Sequence, residues 1–237
     1  MVCRDDVDEP VPGPGQVLVD VRACGICGSD LHFAKYGDEV VSLMGQLKGM
    51  PTRDVTVDLS NDVFMGHEFS AEVLEAGPDT DAPAGTLVTS IPVLLSAKGF
   101  DTIGYSNTLL GGYAERMLLS APLLVKVPNG LDARHAALTE PMAVGLHAVN
   151  KSNIDRGETA LVLGCGPIGM AIIAALAHRG VESIVAADFS PKRRELAVTM
   201  GAHQIVDPAD ESPFDTITPA VVFEAVGVAG IVDDVLR

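Results

Sequence analysis

The sequence predicts an α/β plus β architecture. A β-rich domain is expected over residues 1–145, and an α/β domain with part of a doubly wound parallel sheet over residues 146–237. Two patterns lead to this prediction. Before about residue 130, short apolar runs are separated by turn residues, as in β domains. From Thr159 onward, strand-like and helix-like segments alternate, which is typical of a parallel sheet covered by helices.

The β-rich domain is predicted from its strand-like segments. QVLVDVR, at residues 16–22, alternates apolar and polar residues as a half-buried strand does, and it follows a turn-rich lead. Further strands are expected at residues 69–75, 85–91 and 123–127, and a helix at residues 133–150. The stretch from Asp38 to Asp62 has no regular pattern, and we expect a loop there.

The α/β domain is predicted from a strand, helix, strand, helix order followed by two more strands. The segments are LVLG, MAIIAALAHRG, SIVAAD, KRRELAVTMG, HQIVD and AVVFEA. The run from Thr159 to Ala177 holds 19 uncharged residues, long enough to suggest a membrane span. Glycines in its middle instead favour a strand and a buried helix joined by a turn.

Composition excludes several classes of function. Asp and Glu outnumber Lys and Arg by 32 to 16, and this acidic balance disfavours binding to nucleic acid phosphates. Four unevenly spaced cysteines do not make a disulfide framework. The first residues carry no secretory pattern, so a cytoplasmic protein without membrane attachment is the expectation.

A glycine motif marks a dinucleotide site. GCGPIG fits G-x-G-x-x-G directly between a strand and a helix, and Asp188 ends the next strand 24 residues after Gly164. Gly164 permits the tight turn, Gly166 lets a pyrophosphate approach, and the third glycine lets helix and strand pack closely. The predicted cofactor-binding residues are Gly164, Gly166, Pro167, Ile168, Gly169, Asp188 and Arg193. An unrelated α/β protein with a glycine turn is the alternative.

The choice between NAD and NADP rests on the end of the second strand. Asp188 would accept hydrogen bonds from ribose hydroxyls and repel a 2′-phosphate, which favours NAD. The basic run Lys192, Arg193 and Arg194 argues for NADP, since arginines there can hold the extra phosphate. We take Asp188 as the stronger signal.

A second cluster, CGICGSDLH, begins with Cys24 and Cys27. This spacing suits a redox pair or half of a four-cysteine zinc site, but the sequence has no second cysteine pair and the cluster follows an alternating strand. A catalytic zinc needs three protein ligands and an open position. Cys27, His67 and Glu140 offer a thiolate, an imidazole and a carboxylate for that purpose.

Five motifs in order carry a family resemblance: VRACGICGSDLH, GHEFSAEV, GGYAER, EPMAVGLHAV and VLGCGPIG. The chain resembles the zinc-dependent medium-chain dehydrogenases, nearest to the branch of sorbitol, threonine and butanediol dehydrogenases. The resemblance implies a GroES-like catalytic domain followed by a Rossmann domain. It also implies a zinc-dependent oxidoreductase that transfers a hydride between an alcohol or polyol and NAD.

The resemblance assigns roles to individual residues. Cys27 and His67 match zinc ligands, while the third ligand stays open between Glu68 and Glu140. Three more residues match the catalytic machinery: Ser29 accepts the substrate proton, His32 passes it to solvent, and Asp30 orients His67. In the Rossmann domain, the resemblance places Ile168 near the nicotinamide and Arg193 near the adenosine ribose.

The sequence departs from the family in three places. No cysteine lies between Ala76 and Leu110, so we expect no structural zinc. Forty residues separate Cys27 from His67, more than the family's usual gap. The strands predicted after residue 159 make an incomplete Rossmann domain, which suggests a truncated chain whose full-length form is a homo-oligomer. The alternatives are a zinc-free quinone or enoyl reductase and a truncated nucleotide-binding pseudoenzyme.

Overall fold

The structure is a computed structural model that describes residues 2–46, 57–96 and 99–236. The chain divides into two units, Met1–Glu140 and Pro141–Arg237. The division falls in the first turn of a helix, slightly before the expected boundary near residue 145.

Unit 1 is a β domain. Its strands are β1 Gln16–Gly25, β2 Phe64–Met65, β3 Glu68–Ala76, β4 Leu87–Ser90, β5 Val93–Ser96, β6 Gly99–Thr102, β7 Tyr105–Ser106, β8 Arg116–Ser120 and β9 Leu124–Lys126. The main sheet has the order β8-β1-β3-β4-β9 and is antiparallel, and β2-β7 and β5-β6 form two-stranded sheets. The four strands predicted in this region are confirmed.

Alternation along β1 builds the core of unit 1. Val17 and Val19 are fully buried against Phe69, Val73 and Met117, as the period of two predicts. The pairing of β1 with β3 runs to Gly25 opposite Glu68. This register brings the segment after β1 beside the start of β3, which positions the candidate site.

The helices of unit 1 include one that the sequence analysis missed. Helix α1 spans Gly28–Gln46 with a non-helical Tyr36 (φ −130°, ψ 35°) inside it. The expected loop from Asp38 is therefore wrong up to Gln46, while residues 47–56 lie outside the described residues. The Asp30 side chain accepts a hydrogen bond from the Cys27 N–H (3.1 Å), as the third residue of a helix does in a capping box. This cap starts α1 within a region whose turn residues suggested strands.

The predicted helix at residues 133–150 is two helices, α2 Ala133–Ala136 and α3 Thr139–Ser152. The Asp132 side chain caps α2 by accepting from the Arg134 N–H. Unit 1 holds α2 and the first residues of α3, and the remainder of α3 belongs to unit 2.

Unit 2 confirms the predicted α/β pattern. Its further elements are β10 Thr159–Leu163, α4 Pro167–Arg179, β11 Ser183–Ala187, α5 Pro191–Met200, β12 Gln204–Val206, α6 Pro213–Thr216, β13 Val221–Glu224 and α7 Ile231–Val235. The strands are parallel in the order β12-β11-β10-β13. This order is that of the first four strands of a Rossmann sheet.

Both faces of the parallel sheet are covered, which explains its near-continuous apolar strands. On one face, Val162 and Ile184 pack with Leu176 of α4. On the other, Leu161 and Val185 belong to a second apolar cluster. The uncharged run from residue 159 to 177 is thus split between β10 and α4, and no helix among the described residues is long and apolar enough to cross a membrane.

Candidate functional site

Three potential metal ligands converge in unit 1. Cys27 directly precedes α1, His67 lies between β2 and β3, and Glu68 begins β3. Each offers one ligand atom, a thiol sulfur, a ring nitrogen and a carboxylate oxygen, and these atoms lie within 4.8 Å of one another. A thiolate, an imidazole and a carboxylate form a donor set that zinc accepts while a fourth position stays open.

Asp30 supports the His67 side of this group. His67 Nδ1 lies 3.4 Å from Asp30 Oδ1, and both atoms are buried without a hydrogen-bond partner among the described residues. Asp30 Oδ2 accepts from the Cys27 N–H (3.1 Å) and from the Tyr113 hydroxyl (2.7 Å). A metal-bound histidine normally presents its second nitrogen to a carboxylate. The unpartnered Nδ1 facing Asp30 is therefore the arrangement that a metal on the other ring nitrogen requires.

The two candidate carboxylates occupy different places. Glu68 is 6% exposed and joins Cys27 and His67 in the ligand group. Glu140, in the first turn of α3, is half-buried, and burial raises its pKa while nearby His67 lowers it. Glu140 thus faces the same region, but it is not part of the group whose ligand atoms converge among the described residues.

Gly25 makes room for Glu68. A Cβ atom at Gly25 would lie 2.3 Å from Glu68 Oε2, closer than two such atoms can approach. A side chain at Gly25 would displace the Glu68 carboxylate, so glycine here favours the position that Glu68 holds opposite it in the sheet.

The remaining cysteine of the CGIC segment is placed apart from the ligand group. Cys24 lies in β1, packs against the core of unit 1, and its thiol donates to the Gly25 carbonyl (3.4 Å). Burial raises the pKa of Cys24 to about 12. All four cysteines are free thiols, and the surroundings of Cys24 and Cys27 differ. This geometry disfavours the alternative of a redox pair, which needs an accessible thiolate.

A cavity of about 280 Å³ adjoins the ligand group, lined by Gly28, Ser29, His32, Phe33, Val40 and Tyr105. The Ser29 Oγ accepts a hydrogen bond from the Tyr105 hydroxyl (2.9 Å). Burial raises the pKa of the Cys27 thiol, while hydrogen bonds from the Ser29 side chain and N–H lower it. Ser29 thus lies between the cavity and a candidate metal ligand. His32 is exposed one turn further along α1 and packs against Tyr36 (ring centroids 4.9 Å apart).

Sequence reasoning missed two tyrosines of this site. Tyr113 donates to Asp30, and Tyr105 donates to Ser29; burial raises the pKa of both phenols. Tyr113 lies in the motif GGYAER and could have been found there. Tyr105 stands in no recognisable motif. It reaches Ser29 only because the fold brings β7 close to the start of α1, which no local pattern reveals.

In unit 2, each motif glycine has a separate physical reason. Gly164 has φ +87°, a conformation that side chains disfavour. A Cβ at Gly169 would lie 1.9 Å from the Gly164 carbonyl oxygen, so only glycine lets α4 pack this closely. A Cβ at Gly166 would meet no described atom within 4 Å, which leaves open space at the N-terminus of α4. Such a terminus attracts phosphate groups.

Asp188 is tied to the glycine loop. Its carboxylate, 9% exposed, accepts from the N–H groups of Cys165 and Ser190, each at 2.8 Å. Arg193 lies 3.6 Å from Asp188 Oδ2 with an exposed side chain. Arg194 is already engaged, since it donates to the Asp188 carbonyl (2.7 Å) and pairs with Asp207 (2.8 Å).

The other predicted cofactor residues lie at the start of α4. Pro167 is exposed at the first position of α4. A backbone N–H there would have no partner within the helix, so the proline costs no helical hydrogen bond. Ile168 is half-buried and packs against the core of unit 2. Lys192 is exposed in the first turn of α5.

Comparisons with known proteins agree with both units. The family described as "Alcohol dehydrogenase GroES-like domain" matches residues 13–129. The (R,R)-butanediol dehydrogenase of Bacillus subtilis is 36% identical over 214 residues, which cover 86% of this chain and 60% of that relative. The chain therefore spans well under two thirds of this curated relative's length.

Solved structures give the same picture. The crystal structure of 2R,3R-butanediol dehydrogenase from Bacillus subtilis aligns with a TM-score of 0.74 and 34% identity, covering 96% of this chain and 68% of that one. The crystal structure of "a putative zinc-binding dehydrogenase" from Sinorhizobium meliloti, bound to NADP, aligns with a TM-score of 0.77 and 30% identity, covering 95% of this chain and 67% of that one.

Proposed function

The chain belongs to the zinc-dependent medium-chain alcohol dehydrogenase family, and on this premise we propose that it transfers a hydride between an alcohol or polyol and NAD. The observation that carries the proposal is the convergence of Cys27, His67 and Glu68 within 4.8 Å beside the Ser29 hydroxyl. The grouped ligands and the zinc-binding relatives favour this function over a zinc-free reductase or a nucleotide-binding pseudoenzyme.

We propose one zinc ion per chain, held by Cys27, His67 and Glu68. Zinc bound there would supply Lewis-acid chemistry that makes a substrate hydroxyl more acidic. Asp30 would hold the proton of His67 on Nδ1, so that the other ring nitrogen faces the ion. The Cys27 N–H bond to Asp30 fixes the backbone that presents the thiolate.

Ser29 and His32 handle the proton in this proposal. They lie three residues apart on α1 and therefore on one face of the helix. Ser29 Oγ would accept the proton of the substrate hydroxyl while it releases its own proton to His32, and the exposed His32 would pass a proton on to solvent. Ser29 and His32 both line the cavity, so the residue that receives the substrate proton and the residue that passes a proton to solvent border the same cavity.

The size of the cavity supports a small substrate. Its volume of about 280 Å³ is at the small end of ligand pockets, and Phe33 and Val40 give it apolar walls. A small secondary alcohol or diol fits this size, with its hydroxyl toward Ser29 and its carbon chain toward Phe33. The relatives that are named butanediol dehydrogenases are named for a small diol of this kind, which supports the proposal.

For the cofactor we propose NAD rather than NADP. Asp188 places a buried negative charge at the position where the ribose hydroxyls bind in this fold, and that charge repels a 2′-phosphate. Of the three basic residues nearby, Arg194 is committed to Asp207 and the Asp188 carbonyl. Arg193 remains extended toward solvent near Asp188, where it can pack on the adenosine. The NADP-bound relative makes this preference a point to test directly.

The test combines metal analysis with a substrate screen. Purified protein is expected to contain about one equivalent of zinc and to reduce NAD with butanediol, threonine, sorbitol or simple alcohols. Ser29→Ala should keep the zinc and lower kcat about 10²–10⁴-fold, to a residual rate that can still be measured. Full alcohol oxidation by a zinc-free Cys27→Ala protein would reject the proposal, and so would NAD binding without turnover of any alcohol.

A further inference from the structure

The Tyr105 hydroxyl lies at the Ser29 side chain. It donates to Ser29 Oγ at 2.9 Å, across 76 positions of sequence. The Tyr105 ring packs against Phe33 (centroids 4.7 Å apart) and faces His67 (5.8 Å). These ring contacts require only an aromatic ring, so the hydroxyl is the part of Tyr105 that the packing does not explain.

A serine hydroxyl turns freely unless its partners fix it. It has one proton to donate and two lone pairs that accept. A bond from Tyr105 fills one lone pair of Ser29 Oγ and leaves one lone pair and one proton. Ser29 then has a single acceptor direction and a single proton to pass on, and its side chain lines the cavity.

We propose that Tyr105 is a positioning residue that orients the Ser29 hydroxyl for the proton transfer. The inference rests on the proposed function, because it assigns to Ser29 the free lone pair that receives the substrate proton as the proton already on Ser29 passes to His32. Tyr105 keeps its own proton throughout and touches the reaction through Ser29.

The first test is a double-mutant cycle in the zinc-loaded protein. Tyr105→Phe retains both ring contacts and should lower kcat about tenfold, with KM, zinc content and NAD affinity unchanged. In a Ser29→Ala background, Tyr105→Phe should have no further effect, because the residue acts through Ser29. If the two effects multiply, the Tyr105 hydroxyl acts independently of Ser29 and the inference is overturned.

The second test needs no turnover. In protein loaded with cobalt(II), the absorption from the Cys27 thiolate to cobalt reports the surroundings of the sulfur, which include the Ser29 side chain. We expect Tyr105→Phe to shift this band in the same direction as Ser29→Ala, and the double variant to match Ser29→Ala. An unshifted band in Tyr105→Phe overturns the inference. Failure of the wild-type protein to oxidise any alcohol would instead reject the proposed function, while the band still decides whether Tyr105 orients Ser29.

Discussion

The two candidate sites of this molecule are assembled in different ways. In unit 1, Cys27 and His67 lie 40 residues apart, and the register of β1 with β3 brings their segments together. In unit 2, the three glycines lie within six residues, and Asp188 is delivered by the neighbouring parallel strand. The metal group is therefore formed by side chains that are far apart in the sequence. The glycine loop is formed by the backbone of residues that are close together in the sequence.

This difference decides how each site can fail. A side-chain site loses its function when one ligand is removed, although the fold around it survives. A backbone site tolerates many side chains but breaks when an added Cβ meets another backbone atom. The following predictions separate these two kinds of failure.

The largest effect is expected at the thiolate ligand. Cys27→Ala should lower zinc content from about one equivalent to below about 0.1 and abolish alcohol oxidation, because a three-ligand site loses its sulfur. Atomic absorption on purified protein measures this. Cys24→Ala, the matched control in the same segment, should keep its zinc, since Cys24 points into the core. Equal zinc loss in both variants would contradict the assignment.

The next effect tests the backbone site. Gly169→Ala puts a Cβ 1.9 Å from the Gly164 carbonyl oxygen, so α4 must move away from the loop. We expect a destabilisation of about 2–4 kcal/mol and loss of NAD binding. Thermal denaturation and NAD titration measure the two quantities.

Gly157→Ala is the matched control for that substitution. A Cβ there meets no described atom within 4 Å, and it should leave both the melting temperature and NAD binding near the wild-type values. A Gly169→Ala protein that behaves like this control would show that close helix packing is not what the third glycine provides.

A smaller effect distinguishes the two carboxylates. Glu68→Gln should weaken zinc binding about 10–100-fold, because Glu68 lies in the ligand group. Glu140→Gln should change zinc affinity by less than about threefold, since Glu140 stands outside that group. Competition with a chelator gives both affinities, and the reverse order would make Glu140 the third ligand.

The smallest effect is expected on the preference between NAD and NADP, which differ by the 2′-phosphate of the adenosine ribose. Asp188→Asn removes the charge beside the ribose position and should shift the ratio of NADP to NAD affinity about tenfold toward NADP. Asp210→Asn makes the same charge change at an exposed position after β12 and should leave the ratio as it is. An unchanged ratio in Asp188→Asn would argue that Arg193 sets the preference.

The sequence was most informative where a contact is local. The strands of unit 2 and the glycine loop follow from short patterns, and the parallel order confirms them. Helix α1 was missed, because Gly37 and the turn-like residues around Cys27 hide a helix that Asp30 caps. A short-range contact was therefore not sufficient by itself, because the cap of α1 joins residues only three positions apart.

Sequence reasoning predicted that Cys27 and His67 converge, but it left other long-range contacts of the site open. Glu68 and Glu140 both follow recognisable motifs, and nothing in either motif says which carboxylate approaches Cys27. That choice is set by the pairing of Gly25 with Glu68. The hydroxyl of Tyr105 reaches Ser29 through a tertiary approach that leaves no trace in the local pattern. The roles of Ser29 and His32 stay predictions.

Asp30 has a consequence that extends beyond the ion. One oxygen of its carboxylate holds the backbone N–H that begins α1, and the other faces His67. Local unfolding of the start of α1 and dissociation of a metal from His67 would both disturb the contacts of the Asp30 side chain. The two equilibria are therefore thermodynamically linked. Adding zinc should therefore slow amide hydrogen exchange over the first turn of α1, at residues that themselves bind no metal.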